Sequence, residues 1–133
     1  MKIRNLVESD YDMLVEWWKK WRWTPPPRDF LPQNGTGGYM VEVDGIPVVA
    51  GFLYLTNSAI AWNEFVISNF DYKNKEKRKE AICILIQELT ELAKQCKAKY
   101  VYTVVKNQSL QNIYEEMGFS NGSQKVNEMF MIL

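Results

Sequence analysis

The chain of 133 residues contains no histidine and only two cysteines, Cys83 and Cys96. Without histidine it cannot form a Ser-His-Asp or Cys-His nucleophilic site, or any metal site that uses histidine. Both cysteines fall on one predicted helix, about 20 Å apart at a rise of ~1.5 Å per residue, so they cannot form a disulfide with each other. We therefore expect two buried thiols in a reducing compartment and no metal site.

The chain also has no long apolar run and no excess of charge of either sign. No run approaches the roughly 20 apolar residues that a membrane-spanning helix needs. The 16 basic and 16 acidic residues give a formal net charge of zero. Overall charge therefore suggests neither a nucleic acid nor a membrane as a partner. The sequence starts in a strand pattern without a signal-peptide pattern, so we expect a cytoplasmic protein.

The composition is typical of a globular protein, with 47% hydrophobic and 24% charged residues. A chain of this length can bury about two thirds of its unfolded surface in one core. We therefore expect residues 1–133 to form a single domain.

The first half of the chain predicts a strand, a helix and a hairpin. A strand at residues 2–7 precedes a capping-box pattern at residues 9–12, and the helix that follows ends near Trp23, before three prolines. Asp44-Gly45 predicts a type I′ turn between strands at residues 39–43 and 46–55. The apolar stripe of the helix has helical spacing, which favours core packing over stacking on nucleotides; its residues are Leu14, Trp17, Trp18 and Trp21.

The second half predicts a strand–helix–strand unit. A strand at about residues 59–68, a helix at residues 75–97 and a strand at residues 100–105 follow one another. Two strands joined by such a helix lie parallel, with a right-handed crossover. A ligand is expected beyond their carboxyl ends, where the free N–H groups of the helix favour an anion. A helix at residues 109–117, capped by Gly118, and a last strand at residues 128–133 complete a mixed α/β (α+β) sheet with helices on both faces.

The end of this unit carries a recognisable motif. Asn107 is followed by a small residue, Ser109, then by Tyr114 and by Met117-Gly118-Phe119. With the order of the elements, this pattern resembles the GNAT superfamily of acyl-CoA-dependent N-acyltransferases. The resemblance implies a mostly antiparallel sheet with a parallel pair at its centre. It also implies acetyl-CoA as the co-substrate and a small-molecule or peptide amine as the acceptor; a homodimer is left open.

The chain departs from the family at the loop that holds the pyrophosphate. The family has Gln/Arg-x-x-Gly-x-Gly/Ala there, whereas residues 74–81 contain no glycine. One alignment makes Ala81 the last small position, with Lys79 in place of the middle glycine; another starts the motif at Arg78. Neither alignment restores the glycines that let a pyrophosphate approach the backbone.

The resemblance implies two catalytic residues, each with a structural alternative. Tyr114 matches the tyrosine that protonates the departing thiolate, but it would serve equally to pack a short helix on the sheet. Glu64 is the only carboxylate inside the central strand. Among apolar neighbours its pKa would rise, as suits a base that deprotonates an ammonium acceptor; otherwise it faces water or a cation.

The resemblance also implies the residues that hold the cofactor and the acceptor. The backbone of Val66, Ile67 and Ser68 would pair with the pantetheine arm, and the side chain of Asn107 would bond to the ligand or to its own turn. The acceptor would lie near Trp23 and Phe30.

A basic run opens the helix that follows the central strand. Its side chains would reach the phosphates or form a solvated face; they are Lys75, Lys77, Arg78 and Lys79. The alternative function is a catalytically inactive GNAT-fold protein that has lost coenzyme A binding and binds a protein partner or another small ligand.

Overall fold

The computed structural model describes residues 1–133, whose core is a five-stranded sheet in the order β1-β2-β3-β4-β5. The strands are β1 (Lys2–Asn5), β2 (Gly38–Val43), β3 (Ile46–Leu55), β4 (Ile60–Ser68) and β5 (Tyr100–Tyr102). Neighbouring strands are antiparallel except β4 and β5, which are parallel. This confirms the mixed, mostly antiparallel sheet. The parallel pair lies at one edge of the sheet and not at its centre, because no strand follows β5.

Helices cover both faces of the sheet, as predicted. They are α1 (Asp10–Lys20), α2 (Lys75–Gln95) and α3 (Gln108–Glu116), and two short 3₁₀ turns lie at Arg28–Phe30 and Pro32–Gly35. Helix α2 packs Leu85 and Leu89 on the face that carries Val41 and Val49. Helix α1 packs on the opposite face; its buried apolar residues are Leu14, Trp17 and Trp18. The tryptophan stripe is thus largely core, as its helical spacing indicates. No helix is both long and apolar enough to cross a membrane.

The β2–β3 hairpin has the predicted type I′ geometry. Asp44 and Gly45 both have positive φ angles, of 52° and 78°, as this turn requires.

The start of α1 differs from the predicted capping box. Ser9 makes no side-chain cap, and the carboxylate of Asp10 accepts the backbone N–H of Val7 instead. Asp10 also accepts two hydrogen bonds from Arg4, at 2.8 and 2.9 Å, and these hold the pKa of Asp10 below its usual range. This ion pair ties α1 to β1. The helix ends at Lys20, earlier than predicted.

The predicted strand at residues 128–133 does not form. This segment does not lie along the edge of β5: the Phe130 ring packs edge-to-face against Phe30, at 6.3 Å between ring centres. Residues 129–133 are exposed despite being apolar. The prediction of two buried thiols was also wrong, because Cys96 caps the end of α2 and is exposed, while Cys83 is only partly buried.

Strands β4 and β5 diverge after three residue pairs. Only Ile60, Ala61 and Trp62 pair with β5. Phe65 has a φ of +55°, and the register with β3 shifts there, so β4 bulges. From Asn63 onward, the edge of β4 that faces β5 has no strand partner, and we call this unpaired stretch the gap between the two strands.

Candidate active site

Glu64 bridges the gap between β4 and β5. Its Oε1 accepts the backbone N–H of Val104 at 2.6 Å and the Thr103 hydroxyl at 3.4 Å. Burial raises the pKa of Glu64, and these two hydrogen bonds oppose the rise only in part. The carboxylate thus accepts the N–H of Val104, a backbone group that continued pairing of β4 and β5 would have satisfied. Because its pKa is raised, it also binds a proton more tightly than an ordinary glutamate does.

Tyr114 places an unpaired hydroxyl near this gap. The residue lies on α3, only 3% exposed, and its ring meets Phe119 edge-to-face at 4.8 Å. Its hydroxyl makes no hydrogen bond. Burial raises the pKa of Tyr114 above its ordinary range; the nearby Thr103 hydroxyl, which does not reach hydrogen-bond distance, lowers it in part, and the charge of Glu64 adds to the rise. The two predicted catalytic residues are therefore close enough to interact electrostatically.

Asn63, which the sequence did not single out, is a second buried polar group without a partner. Its side chain is fully buried, and neither its amide oxygen nor its amide nitrogen makes a hydrogen bond. It is the first residue of β4 beyond the paired stretch. Two buried polar groups without hydrogen-bond partners therefore lie near the gap, and we expect water or a ligand to bind them there.

The backbone predicted to hold the pantetheine arm is only partly free. Ile67 is buried against α1, whereas Val66 and Ser68 are partly exposed. The indole N–H of Trp21 donates to the Ser68 carbonyl at 2.8 Å. Groups between Asn63 and Ile67 therefore offer the unpaired edge, and Ser68 already has an internal partner.

A cleft of 420 Å³ lies between the start of α2 and α3. Its lining is mostly polar: Lys75, Arg78, Lys79, Ile82, Ser109, Asn112, Ile113 and Glu116. The side chain of Asn74 caps α2 by accepting the N–H of Lys77 at 3.1 Å. The cleft is thus a basic, helix-terminal site of the kind that favours anions.

Two of the three cations that line this cleft, Arg78 and Lys79, already have protein partners, and Lys75 forms no salt bridge. Lys79 forms a salt bridge with Glu116 of α3, 3.1 Å between Nζ and Oε2. The guanidinium of Arg78 donates to the Tyr72 carbonyl and lies 5.9 Å from the centre of the Trp21 ring. A phosphate that enters the cleft must compete with these contacts. Lys77 does not line the cleft and pairs with Glu80 at 3.9 Å.

Two other predicted cofactor residues occupy structural positions. Ala81 is fully buried in the core between α2 and the sheet, so its small side chain serves close packing. Asn107 caps α3, since its side-chain oxygen accepts the N–H of Leu110 at 3.0 Å. The local-turn alternative for Asn107 is therefore observed.

The two predicted acceptor residues belong to different clusters. Trp23 stacks on Trp21 at 5.9 Å, next to the start of α2. The Phe30 carbonyl accepts the Tyr54 hydroxyl at 2.8 Å, on the face of the sheet that carries Glu64. Of the two, only Phe30 is in contact with the surroundings of Glu64. Sequence reasoning missed Tyr54, because the apolar run of β3 is buried continuously from Val48 to Leu53 and does not mark this residue.

Comparisons with solved structures identify the fold. The chain is similar to a probable acetyltransferase, with a TM-score of 0.74 and 17% identity over 100% of this chain and 99% of that one. It is also similar to the ribosomal-protein-S18-alanine N-acetyltransferase of Escherichia coli, with a TM-score of 0.71 and 13% identity over 92% and 79% of the two chains. A third similar structure is glucosamine-6-phosphate N-acetyltransferase of Arabidopsis thaliana, with a TM-score of 0.65 and 19% identity over 98% of each chain.

No family model and no curated protein matches the sequence. The three-dimensional likeness extends over nearly the whole chain. At these identities, likeness establishes the fold. The chain therefore has the fold of the GNAT superfamily of acetyltransferases.

Proposed function

We propose that the chain is a small GNAT-type N-acetyltransferase that moves an acetyl group from coenzyme A to an amine. The observation that carries the proposal is the gap between β4 and β5, with a half-buried carboxylate of raised pKa and an unpaired buried phenol beside it. Direct transfer fits a chain without histidine, since it needs no covalent enzyme intermediate. Under this proposal residues 1–133 act as one domain, in the cytoplasm.

Glu64 acts as the base in this proposal. It takes a proton from the acceptor ammonium, directly or through a water molecule, and the freed amine attacks the thioester carbon. A raised pKa suits this role because it brings the carboxylate closer to the pKa of its proton donor.

Tyr114 acts at the leaving sulfur. As the carbon–sulfur bond breaks, its hydroxyl donates a hydrogen bond to the thiolate. A thiol of ordinary pKa, about 8.5, is a stronger acid than this buried phenol. Tyr114 therefore stabilises the thiolate mainly by the hydrogen bond, and the sulfur takes its final proton from solvent.

The cleft between α2 and α3 holds the phosphates in this proposal. The backbone from Asn63 to Ile67 pairs with the pantetheine arm, and side chains of Lys75, Arg78 and Lys79 replace the backbone contacts that glycines would allow. An aminoglycoside N-acetyltransferase with a similar fold, at 10% identity and a TM-score of 0.65, was solved with coenzyme A. The residues present fit such a ligand.

The acceptor is an amine of a small molecule or a peptide. Proteins of this fold include transferases named for a ribosomal-protein alanine and for glucosamine-6-phosphate, so the fold itself does not choose between these classes.

Calorimetric titration with acetyl-CoA and with coenzyme A tests the proposal. We expect saturable binding of both, and release of free thiol in the presence of an acceptor amine. Binding that survives in Glu64→Gln while thiol release is lost would support the assigned role. No binding at millimolar concentration would reject the proposal.

A catalytically inactive GNAT-fold protein is the second candidate. The observation that favours it is the Lys79–Glu116 bridge, which spans a cleft whose loop has no glycine. Under this candidate, Glu64→Gln and Tyr114→Phe leave the biological effect intact, while substitutions between Trp23 and Phe30 abolish it.

A further inference from the structure

Five aromatic residues follow one another across one face of the sheet, linked by ring contacts, by strand pairing and by one hydrogen bond. Tyr102 of β5 meets Trp62 of β4 edge-to-face, 5.1 Å between ring centres. Trp62 is the cross-strand partner of Tyr54 on β3. The Tyr54 hydroxyl bonds the Phe30 carbonyl, and the Phe30 ring meets Phe130 at 6.3 Å. We call Phe30, Tyr54, Trp62, Tyr102 and Phe130 the aromatic row.

The aromatic row leads to Glu64. Side chains two residues apart on a strand leave the same face, about 7 Å from each other, so Glu64 follows Trp62 on this face. Glu64 is also close enough to Tyr54 for its charge to raise the pKa of that phenol. A molecule lying along the row would therefore reach the Glu64 carboxylate.

Three rings of the row are exposed although they are apolar. Phe30 is 46% exposed, Tyr102 52% and Phe130 70%. Rings that only covered the core would be buried, and a contiguous exposed apolar surface is a common mark of a binding site.

The charge near the row suits a ligand with a single positive group. Glu64 has no cationic partner and is held by Val104 and Thr103 alone. Glu128, the other carboxylate near Glu64, lies 4.0 Å from Lys106 Nζ. One carboxylate without a cation is complementary to one ammonium group.

We propose that the acceptor is an arylalkylamine, a primary amine carried by a short alkyl arm on an aromatic ring. This inference rests on the proposed function. The ammonium group lies at Glu64, and the ring of the acceptor stacks against Trp62 and Tyr102. Offset or edge-to-face contacts with two rings supply the preference for an aromatic ligand.

Equilibrium binding of tyramine, n-butylamine and cadaverine tests this class of acceptor. The dissociation constants are measured by calorimetry on the free protein and on the protein with coenzyme A. We expect tyramine to bind roughly tenfold more tightly than n-butylamine, because the latter keeps the ammonium and loses the ring contacts. Cadaverine, with two ammonium groups and no ring, should bind no better than n-butylamine.

A pair of matched variants locates the site. Tyr102→Ser should weaken tyramine binding by roughly three- to tenfold and leave n-butylamine unchanged. Tyr100→Ser is the control: Tyr100 lies on the same strand, is 62% exposed and makes no ring contact with the row. Its affinity for tyramine should not change.

The outcomes separate this inference from the proposed function. Equal affinities for tyramine and n-butylamine, a preference for cadaverine, or equal losses in the two tyrosine variants would overturn it, even where acetyl-CoA binds. If tyramine binds as expected and acetyl-CoA does not, the aromatic amine site stands and the transferase proposal fails.

Discussion

The hydroxyl of Tyr114 is a single polar atom without a hydrogen bond inside an apolar cluster. Its neighbours in this cluster include Ile86 and Ile113. A buried polar group without a partner costs roughly 1–3 kcal/mol of folding free energy. The protein keeps this cost at a position that the proposed chemistry uses.

Tyr114→Phe should therefore separate stability from activity. Removal of the hydroxyl should leave the free energy of unfolding unchanged or raise it by about 1 kcal/mol, because packing against Phe119 is kept. The kcat for thiol release should fall roughly tenfold or more, because the hydrogen bond to the leaving sulfur is lost. Urea unfolding and steady-state kinetics measure the two effects. A variant that is less stable and equally active would mean that the hydroxyl serves folding.

The raised pKa of Glu64 predicts how activity and stability depend on pH. Because burial raises its pKa above the ordinary value of 4.5, the charged base forms only at higher pH in the folded protein. The kcat/KM should thus rise with pH through a limb that lies above pH 4.5. The sign for stability is opposite: a raised pKa stabilises the folded state below the unfolded pKa, and this contribution is lost as pH rises through the folded value.

The profile of kcat/KM against pH, measured in the unmodified protein and in two variants, checks whether Glu64 gives rise to this limb. Glu64→Gln should lose the acidic limb together with most of the activity. Glu128→Gln should shift the limb to lower pH, because the charge of Glu128 adds to the raised pKa of Glu64. An unshifted limb in both variants would assign it to another group.

At the scale of elements, the junction of α2 and α3 is where we propose that the coenzyme A phosphates bind. Glu116 places a negative charge in the cleft and occupies Lys79. Glu116→Gln should tighten the binding of acetyl-CoA severalfold, since it removes that charge and frees the lysine.

Arg78→Ala should weaken acetyl-CoA binding by roughly tenfold, with a strong dependence on salt. Lys77→Ala is the matched control, because Lys77 lies in the same helical turn and outside the cleft. Titrations at low and high salt compare these variants, and thermal unfolding shows whether Arg78→Ala is folded. Equal affinity in all of them would mean that the basic run is a solvated surface.

Local patterns predicted most elements. Asp44-Gly45 and the long apolar stripe of α2 each determine their element from neighbouring residues, and both appear as predicted. The predicted capping box failed because Ser9 already has helical φ and ψ angles, and Asp10, which Arg4 of β1 holds, accepts the N–H of Val7 instead. The prediction of a strand at residues 128–133 was wrong because a strand forms only beside a partner strand. The alternation of residues in a sequence does not show whether such a partner is available.

The candidate site was predictable only where a residue carries chemistry of its own. Glu64 and Tyr114 could be named from residue type and motif, and the structure places them near each other. Their partners could not: the backbone N–H of Val104 is invisible in a sequence, and Asn63 is notable only because it is buried. The aromatic row draws on three strands, a turn and the C-terminal segment, so no local pattern contains it.

At the scale of the whole molecule, the neutral net charge and one exposed apolar segment both favour association between copies of the chain. The isoelectric point is about 6.3, and residues 129–133 are apolar and exposed. Without net charge, repulsion between copies is weakest near that pH. Edge strand β5 also leaves unpaired backbone groups next to the exposed Tyr100 and Tyr102.

We expect self-association to be greatest near pH 6.3 and to fall when residues 129–133 are deleted. Light scattering against pH, for the full chain and the deletion variant, measures this. At pH 8 both proteins carry net negative charge and should scatter alike. Equal scattering of the two at pH 6.3 would show that this segment does not drive association.

The hydrogen bond between Glu64 and Val104 has a consequence for the timing of turnover. This hydrogen bond links β4 to the chain beyond β5, where the two strands no longer pair. A carboxylate accepts such a bond more strongly than a neutral carboxyl group does. Under the proposed mechanism, Glu64 takes the proton of the acceptor, and this would weaken the hydrogen bond to Val104 while the acetylated product is still in the site. Loss of that proton to solvent would restore the hydrogen bond before the next substrate binds, so the proton moved in the reaction would also act as the release signal.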